Sequence, residues 1–218
     1  MDIELARFNM IEQQIRPWEV LDPGLLGLLK KLPRELFVPQ QHRELAFADL
    51  NLPINHGECM MQPKVEARLI QALALTSTDR VLEVGTGTGH LTALLASSCA
   101  RVTSIDIHGD FLKPASARLE SLGIFNATFE EGDAAEDWAD DNGWDAIILT
   151  GSVPVPPYSH RNRLAAGGRL VAIVGQSPVM EAMIYSRSDE DRESTELSLF
   201  DTSLPPLINA QTPSTFTF

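Results

Sequence analysis

The stretch Arg80-Val81-Leu82-Glu83-Val84-Gly85-Thr86-Gly87-Thr88-Gly89-His90 decides how this chain folds. Its first half is a short apolar run carrying one acid, which reads as a buried strand. Its second half places glycines at alternate positions, and the residues that follow, HLTALLASS, read as a helix. A strand that turns into a helix through bare glycines lets a ligand lie close against backbone N–H groups. Glu83 sets a carboxylate two residues before the first glycine, where a cationic ligand head can meet it.

From Asp79 onward strands and helices alternate. Strands are expected over 80–85, 101–107, 127–133, 144–151 and 168–175, with helices over 89–97 and 110–122, the second closed by Gly123. Two apolar runs, 179–188 and 194–200, flank the charged segment DEDRE at 189–193 and read as an antiparallel hairpin. The pattern predicts an α/β protein: a Rossmann-like, mostly parallel sheet with helices on both faces and a C-terminal antiparallel hairpin. Residues 201–218 read as an extended surface tail. Upstream, apolar positions 3, 5, 8, 11 and 15 predict a helix over 2–16 that stops at Pro17. Asp22 as N-cap and Pro23 at the first turn open a second helix running to Pro33. Residues 34–63 are loop-rich, and Pro63 opens a third helix to about residue 75. The expected organisation is an N-terminal helical extension, 1–78, covering the site of a ligand-binding core, 79–218.

The chain has 218 residues, 44% of them hydrophobic, enough for one domain with a small extension. Its 17 Lys+Arg face 30 Asp+Glu, for a net charge of −13, and no basic block occurs. Nucleic acid is disfavoured as a partner, because phosphate neutralisation needs a basic face. Cys59 and Cys99 are too few for a disulfide framework, and the five histidines lack metal-ligand spacing, so no metal is expected. The start of the chain lacks a basic segment followed by an apolar one, and no apolar run approaches the ~18 residues of a membrane span. The expectation is a cytoplasmic protein with no membrane partner.

In such sheets ligands bind at the carboxyl ends of the strands. The first strand brings Glu83 with Gly85, Thr86, Gly87 and Gly89. The second ends at Asp106, with Ile107 beside it, where a carboxylate can accept from a ribose diol. The third ends at Gly132 and Asp133, where an acid can accept from an adenine amino group. The fourth ends at Thr150, facing the reacting group. A nucleoside with a cationic head fits this set, and S-adenosylmethionine (SAM) carries both an ammonium and a sulfonium. A nicotinamide or flavin dinucleotide is the alternative, but it prefers glycines at i, i+2 and i+5, whereas here they fall at i, i+2 and i+4.

The chain also resembles the protein-L-isoaspartate O-methyltransferase family over roughly residues 7–176. Met10-Ile11-Glu12-Gln13-Gln14-Ile15-Arg16 is similar to that family's opening helix. Leu32-Pro33-Arg34-Glu35-Leu36-Phe37-Val38-Pro39 resembles its P-R-x-x-F-V-P segment. Ala46-Phe47-Ala48-Asp49, Leu52-Pro53-Ile54 and Gly57 resemble its A-Y-x-D, L-P-I and G segments. Val81 to Gly89, Trp144 to Thr150 and Gly167 to Val171 with Gly175-Gln176 complete the match. The resemblance implies SAM as methyl donor and an isomerised Asp carboxylate in a protein or peptide as acceptor. Such an acceptor is already ionised at neutral pH, so the lack of a His/Asp dyad fits it.

One loop departs from the family. Where the family carries G-Q-T-I-S-Q-P, this chain reads Gly57-Glu58-Cys59-Met60-Met61-Gln62-Pro63. Cys59 stands at the threonine and Met61 at the active-site serine, so two hydroxyls become a thiol and a thioether, both weak hydrogen-bond partners. Cys59 and Met61, with Thr150, are the candidate acceptor-side residues. Cys59 also reads as a small apolar filler beside the methionines, and His56 as a surface residue or a general base at the mouth. A different acceptor, such as a small acid, and a SAM-binding protein without isoaspartyl turnover remain open beside the leading expectation.

Overall fold

The computed structural model describes residues 2–140, 143–188 and 194–212. In chain order the helices are α1 (Ile3–Asn9), α2 (Pro23–Lys31), α3 (Pro63–Leu73), α4 (His90–Ala96), α5 (Gly109–Ser121) and α6 (Tyr158–Asn162). The strands are β1 (Leu52–Pro53), β2 (Cys59–Met60), β3 (Arg80–Val84), β4 (Arg101–Asp106), β5 (Ala127–Glu131), β6 (Trp144–Val153), β7 (Leu164–Gln176), β8 (Val179–Arg187) and β9 (Ser194–Asp201).

Val81, Leu82, Glu83 and Val84 are all buried, which places β3 inside a sheet covered on both faces. The seven strands run β5-β4-β3-β6-β7-β8-β9. β5 through β7 pair in parallel, and β8 and β9 add antiparallel. After β3 the chain builds outward through β4 and β5, then crosses back to lay β6 on the other side of β3. The reversal opens a crevice at the carboxyl ends of β3, β4 and β6, where such sheets bind ligands. The expected mostly parallel sheet with its terminal hairpin is therefore present; the turn read at 189–193 lies outside the described residues.

Alternation along the strands fills two apolar layers. Val81, Ala146, Ile148, Val171 and Ile173 point to one, while Leu82, Val84, Ile147, Leu149, Leu170 and Ala172 point to the other. The first layer also holds Met10, Ile11, Ile15, Leu29, Phe37 and Leu52 from the N-terminal extension. Extension and sheet therefore share a core.

Several elements differ from the sequence expectation. The first helix is not one regular α-helix over 2–16. It widens into a π-helical segment at Met10–Ile15, where the Arg16 N–H reaches back to the Ile11 carbonyl. The wider turn re-phases the apolar face: Met10, Ile11 and Ile15 are buried, while Leu5 and Phe8 are exposed. Asp22 caps α2 as expected, accepting from the Leu25 N–H at 2.6 Å. The short β1–β2 pair, helix α6 and the early start of β7 carry no period long enough to read.

The tail is more than a surface strap. The Ser152 N–H donates to the Pro205 carbonyl and the Leu207 N–H to the Ser152 carbonyl, both at 2.9 Å. The Ser152 hydroxyl donates to the Leu204 carbonyl at 2.9 Å, and Leu204 is buried. Gly151 makes this approach possible: a Cβ there would lie 2.8 Å from a Leu207 methyl and 3.0 Å from the Leu207 nitrogen. Gly151→Ala should therefore cost about 1–3 kcal/mol by overpacking and speed amide exchange at Leu207. Unchanged exchange there in the variant would contradict this account of the tail.

Candidate active site

At the carboxyl ends of β3, β4 and β6 lies a cleft of about 870 Å³, its open mouth included. The glycine turn forms its floor. Gly85 takes φ +100°, and a Cβ there would fall 2.0 Å from the Thr150 hydroxyl oxygen. That hydroxyl shares its proton between the Val84 and Gly85 carbonyls, each at 2.9 Å. Thr150 thus fastens the end of β6 to the turn. Asp106 clamps the same turn from β4, where its Oδ2 accepts from the Gly87 N–H at 2.8 Å and its Oδ1 from the His108 N–H at 2.9 Å. A carboxylate oxygen has a second lone-pair site, so Asp106 keeps capacity for a ligand hydroxyl. Asp133 accepts from the Ala135 N–H and from the tail's Asn209 side chain.

Ten of the residues read from the sequence come together in the cleft wall: Cys59, Met61, Gly85, Thr86, Gly87, Asp106, Ile107, Gly132, Asp133 and Thr150. Gly89 and Glu83 are not part of that wall. Gly89 takes φ +85° and lets α4 close on α5, since a Cβ there would meet Ala115 at 2.8 Å. Glu83 sits behind the turn with no exposed surface. It faces its cross-strand neighbour Ser104, whose hydroxyl donates to Oε2 at 2.6 Å, and Thr92 of α4 donates to the same oxygen at 2.5 Å. Ser104 has spent its proton on Glu83, so the Thr86 hydroxyl, 2.6 Å away, donates to Ser104. This chain of hydroxyls ties the glycine turn to the sheet interior. Glu83 Oε1 has no partner among the described residues. Burial pushes the Glu83 carboxyl up to about 8 despite the two hydroxyls, with Glu66 and Asp106 adding to the rise.

A second buried cluster closes the Cys59–Met61 side of the cleft. Arg34 donates through Nε to the Ala46 carbonyl (3.0 Å), through Nη1 to Glu66 (2.5 Å) and through Nη2 to the Met61 carbonyl (2.6 Å). His90, the first residue of α4, holds Nδ1 2.9 Å from both Glu66 oxygens. Facing a carboxylate, Nδ1 carries the proton, so the nearby Arg34 Nη1 is a packing neighbour rather than a second donor to it. Burial pushes His90 below the ordinary histidine value, the Glu66 charge only partly opposing it, so the ring is neutral and Arg34–Glu66 is the ion pair. Burial alone would raise Glu66; its two neighbours hold it below the usual carboxylate range. Glu66 and His90 both line the cleft.

The loop 54–58 lies over the glycine turn. Ile54 lies against Gly87, and His56 stacks on His108 with ring centroids 4.0 Å apart and planes at 8°. His56 Nε2 also bonds both Asp110 oxygens at 2.9 and 3.0 Å, which holds that carboxyl below its usual range. His56 is thus a latch between the extension and α5. Cys59 is a thiol rather than a thiolate, because burial and the Glu58 charge push it up to about 11.

The residues that the sequence reading missed fall into two groups. Leu204, Pro205, Leu207 and Ile208 of the tail line the cleft and gave no periodic signal. Glu66 did leave one: on α3 it falls on the face of Leu69, Ile70 and Leu73, so an acid occupies an apolar stripe.

A Rossmann-like sheet with a bare glycine turn, and acids at the ends of the next two strands, is the frame of a nucleoside-binding protein. The comparisons narrow the class. The model of the family described as Protein-L-isoaspartate(D-aspartate) O-methyltransferase matches residues 7–200. Protein-L-isoaspartate O-methyltransferase 2 of Pelobacter propionicus is 36% identical across 95% of this chain and 92% of its own length. Protein-L-isoaspartate O-methyltransferase 1 of Rhodopseudomonas palustris is 38% identical across 93% and 82%. A crystal structure described as a putative protein-L-isoaspartate O-methyltransferase from Plasmodium falciparum, in complex with S-adenosyl-L-homocysteine, shares the fold with a TM-score of 0.75 at 17% identity, covering 95% of this chain and 98% of that one. This chain belongs to the protein-L-isoaspartate(D-aspartate) O-methyltransferase family.

Two outcomes follow from the buried groups. Arg34→Met leaves Glu66 as a buried charge without its cation and should cost about 3–5 kcal/mol in urea denaturation; a loss below 1 kcal/mol would contradict the ion-pair assignment. Glu83, raised from an ordinary 4.5 to about 8 on folding, makes the free protein less stable as pH climbs between those values, because only the unfolded chain releases the proton. Glu83→Gln should remove that slope, so its stability gain over the parent should grow from pH 5 to pH 8. A pH-independent difference would contradict the raised value.

Proposed function

We propose that this protein is a SAM-dependent methyltransferase that esterifies the free carboxylate of isoaspartyl residues in proteins or peptides. The observation that carries this reading is the meeting of two loops. The extension brings Cys59, Met60 and Met61 into the same cleft as the glycine turn and Thr150, with the Met61 carbonyl fixed by Arg34. Family membership over residues 7–200 supports the activity and its methyl donor.

The residues present fit a SAM molecule. The turn at Gly85 and Gly87 has no side chain to bar an approach, Asp106 retains acceptor capacity toward a ribose, and Asp133 and Gly132 stand where an adenine edge would be read. SAM, when bound, supplies a methyl group already activated on a sulfonium. The protein's part is to hold the acceptor in line with that methyl and to exclude water. Ile54, His108 and the tail residues Leu204 and Leu207 wall the cleft against solvent. No side chain has to remove a proton, since the acceptor carboxyl is ionised at neutral pH. Glu83, behind the turn, is placed to respond to charge at the turn rather than to touch the acceptor.

Free Cys59 and Cys99 support work in a reducing, cytoplasmic setting. One observation favours a second reading, methyl transfer to a different acid: the loop that meets the acceptor offers a neutral thiol and a thioether in place of two hydroxyls.

Incubation with labelled SAM should place a base-labile methyl ester on an isoaspartyl peptide and not on its ordinary Asp twin. Absence of the ester would sink the isoaspartyl reading. The double change Cys59→Thr, Met61→Ser should raise isoaspartyl turnover several-fold if the missing hydroxyls limit it. No gain would count against the loop's lost hydroxyls as the ground for a second acceptor.

A further inference from the structure

The cleft poses an electrostatic problem for its acceptor. An isoaspartyl residue brings a carboxylate, yet no lysine or arginine lines the cleft among the described residues. Four acids line it instead. Three have partners: Glu66 pairs with Arg34, Asp106, itself buried, accepts from two backbone N–H groups, and Asp133 accepts from Ala135 and Asn209. The fourth, Glu58, does not. Its carboxylate makes no hydrogen bond or ion pair among the described residues, and its charge reaches the neighbouring Cys59. Nor is Glu58 loose. Its own N–H donates to the Asn55 carbonyl at 3.1 Å, and its carbonyl accepts from the Ile54 N–H at 2.9 Å. The fixed turn holds, beside Cys59, a negative charge with no protein partner among the described residues.

A half-buried, unpaired carboxylate at that place repels an acceptor whose surroundings are acidic and attracts one that carries its own cation. Discrimination of this kind is a difference between two affinities, and a like-charge penalty supplies it as effectively as an attraction. We propose that Glu58 is a specificity-determining residue that selects isoaspartyl sites with a lysine or arginine within one or two residues, over sites flanked by acids. The inference rests on the isoaspartyl reading above. It narrows that reading to a substrate class: damaged sites in basic segments of proteins. The cation on the substrate pairs with Glu58, and the isoaspartyl carboxylate then enters beside Cys59 and Met61 with the local charge balanced.

The test uses the full-length protein and three peptides that differ only beside the isoaspartyl residue, with Lys, Ala or Glu there. Initial rates of methyl-ester formation give kcat/KM for each. The Lys peptide is expected to exceed the Glu peptide by about tenfold, the size of a partly desolvated charge pair. The ratio should shrink as salt is raised. Glu58→Gln should bring the Lys and Glu peptides within about twofold of each other, while Glu58→Asp, which keeps the charge, should retain the order. Equal rates on the three peptides would overturn the charge selection while leaving isoaspartyl methylation standing. So would a Lys preference that Glu58→Gln leaves intact. Methyl ester on none of the peptides would overturn the isoaspartyl reading itself, and the selection with it.

Discussion

The structure depends on one buried guanidinium. Arg34 reaches the Ala46 carbonyl, the Met61 carbonyl and the Glu66 carboxylate, and Glu66 in turn holds His90. Four separate segments meet at that cation, and one of them, α4, starts directly after the glycine turn. A buried charge is costly unless it is paired and its donors are filled. Arg34 therefore tolerates little variation in where its partners sit. The cost of burial becomes positional accuracy: the backbone of the loop at Met61 is set against the helix that follows the glycine turn. A hydrophobic substitute could hold a core together, but it could not set a carbonyl and a helix start in register.

Behind the glycine turn a second polar line does comparable work. Thr86 donates to Ser104, and Ser104 and Thr92 donate to one Glu83 oxygen, while Asp106 clamps the turn from outside. The turn is thus held from both sides before any ligand arrives, which lowers the ordering cost of binding. The Glu83 oxygen without a partner leaves that frame short of one interaction, and a cation near the turn would favour its ionised form.

Much of this was readable in the sequence, for identifiable reasons. The sheet followed from the repeated strand–helix rhythm after Asp79, and the cleft followed from where such strands end. The acids at 106 and 133 were found because strand ends are marked by a change of residue type. Glu83 was found by the same rule but misplaced: a strand position two residues before the turn points into the sheet, and the alternation of β3 puts it beside Ser104 rather than in the cleft. The tail escaped because Leu204-Pro205-Pro206-Leu207 has neither period; its place is set by Gly151 and by Ser152, which is 52 residues from Leu204 in sequence. The Arg34 cluster was quoted as part of a motif, but its role needed three dimensions. Only packing reveals that the acid on the apolar stripe of α3 is the partner of an arginine 32 residues earlier.

The central claim is that the glycine turn and the Cys59–Met61 loop form one site, the first for the donor and the second for the acceptor. A crystal structure of the protein with S-adenosylhomocysteine bound tests it most directly. The account predicts ribose hydroxyls on the Asp106 carboxylate, the adenine beside Asp133, and the sulfur in the space between Thr150 and Met61. A nucleoside bound in that cleft with its sulfur turned away from the Cys59–Met61 loop, or bound without touching Asp106, would contradict it.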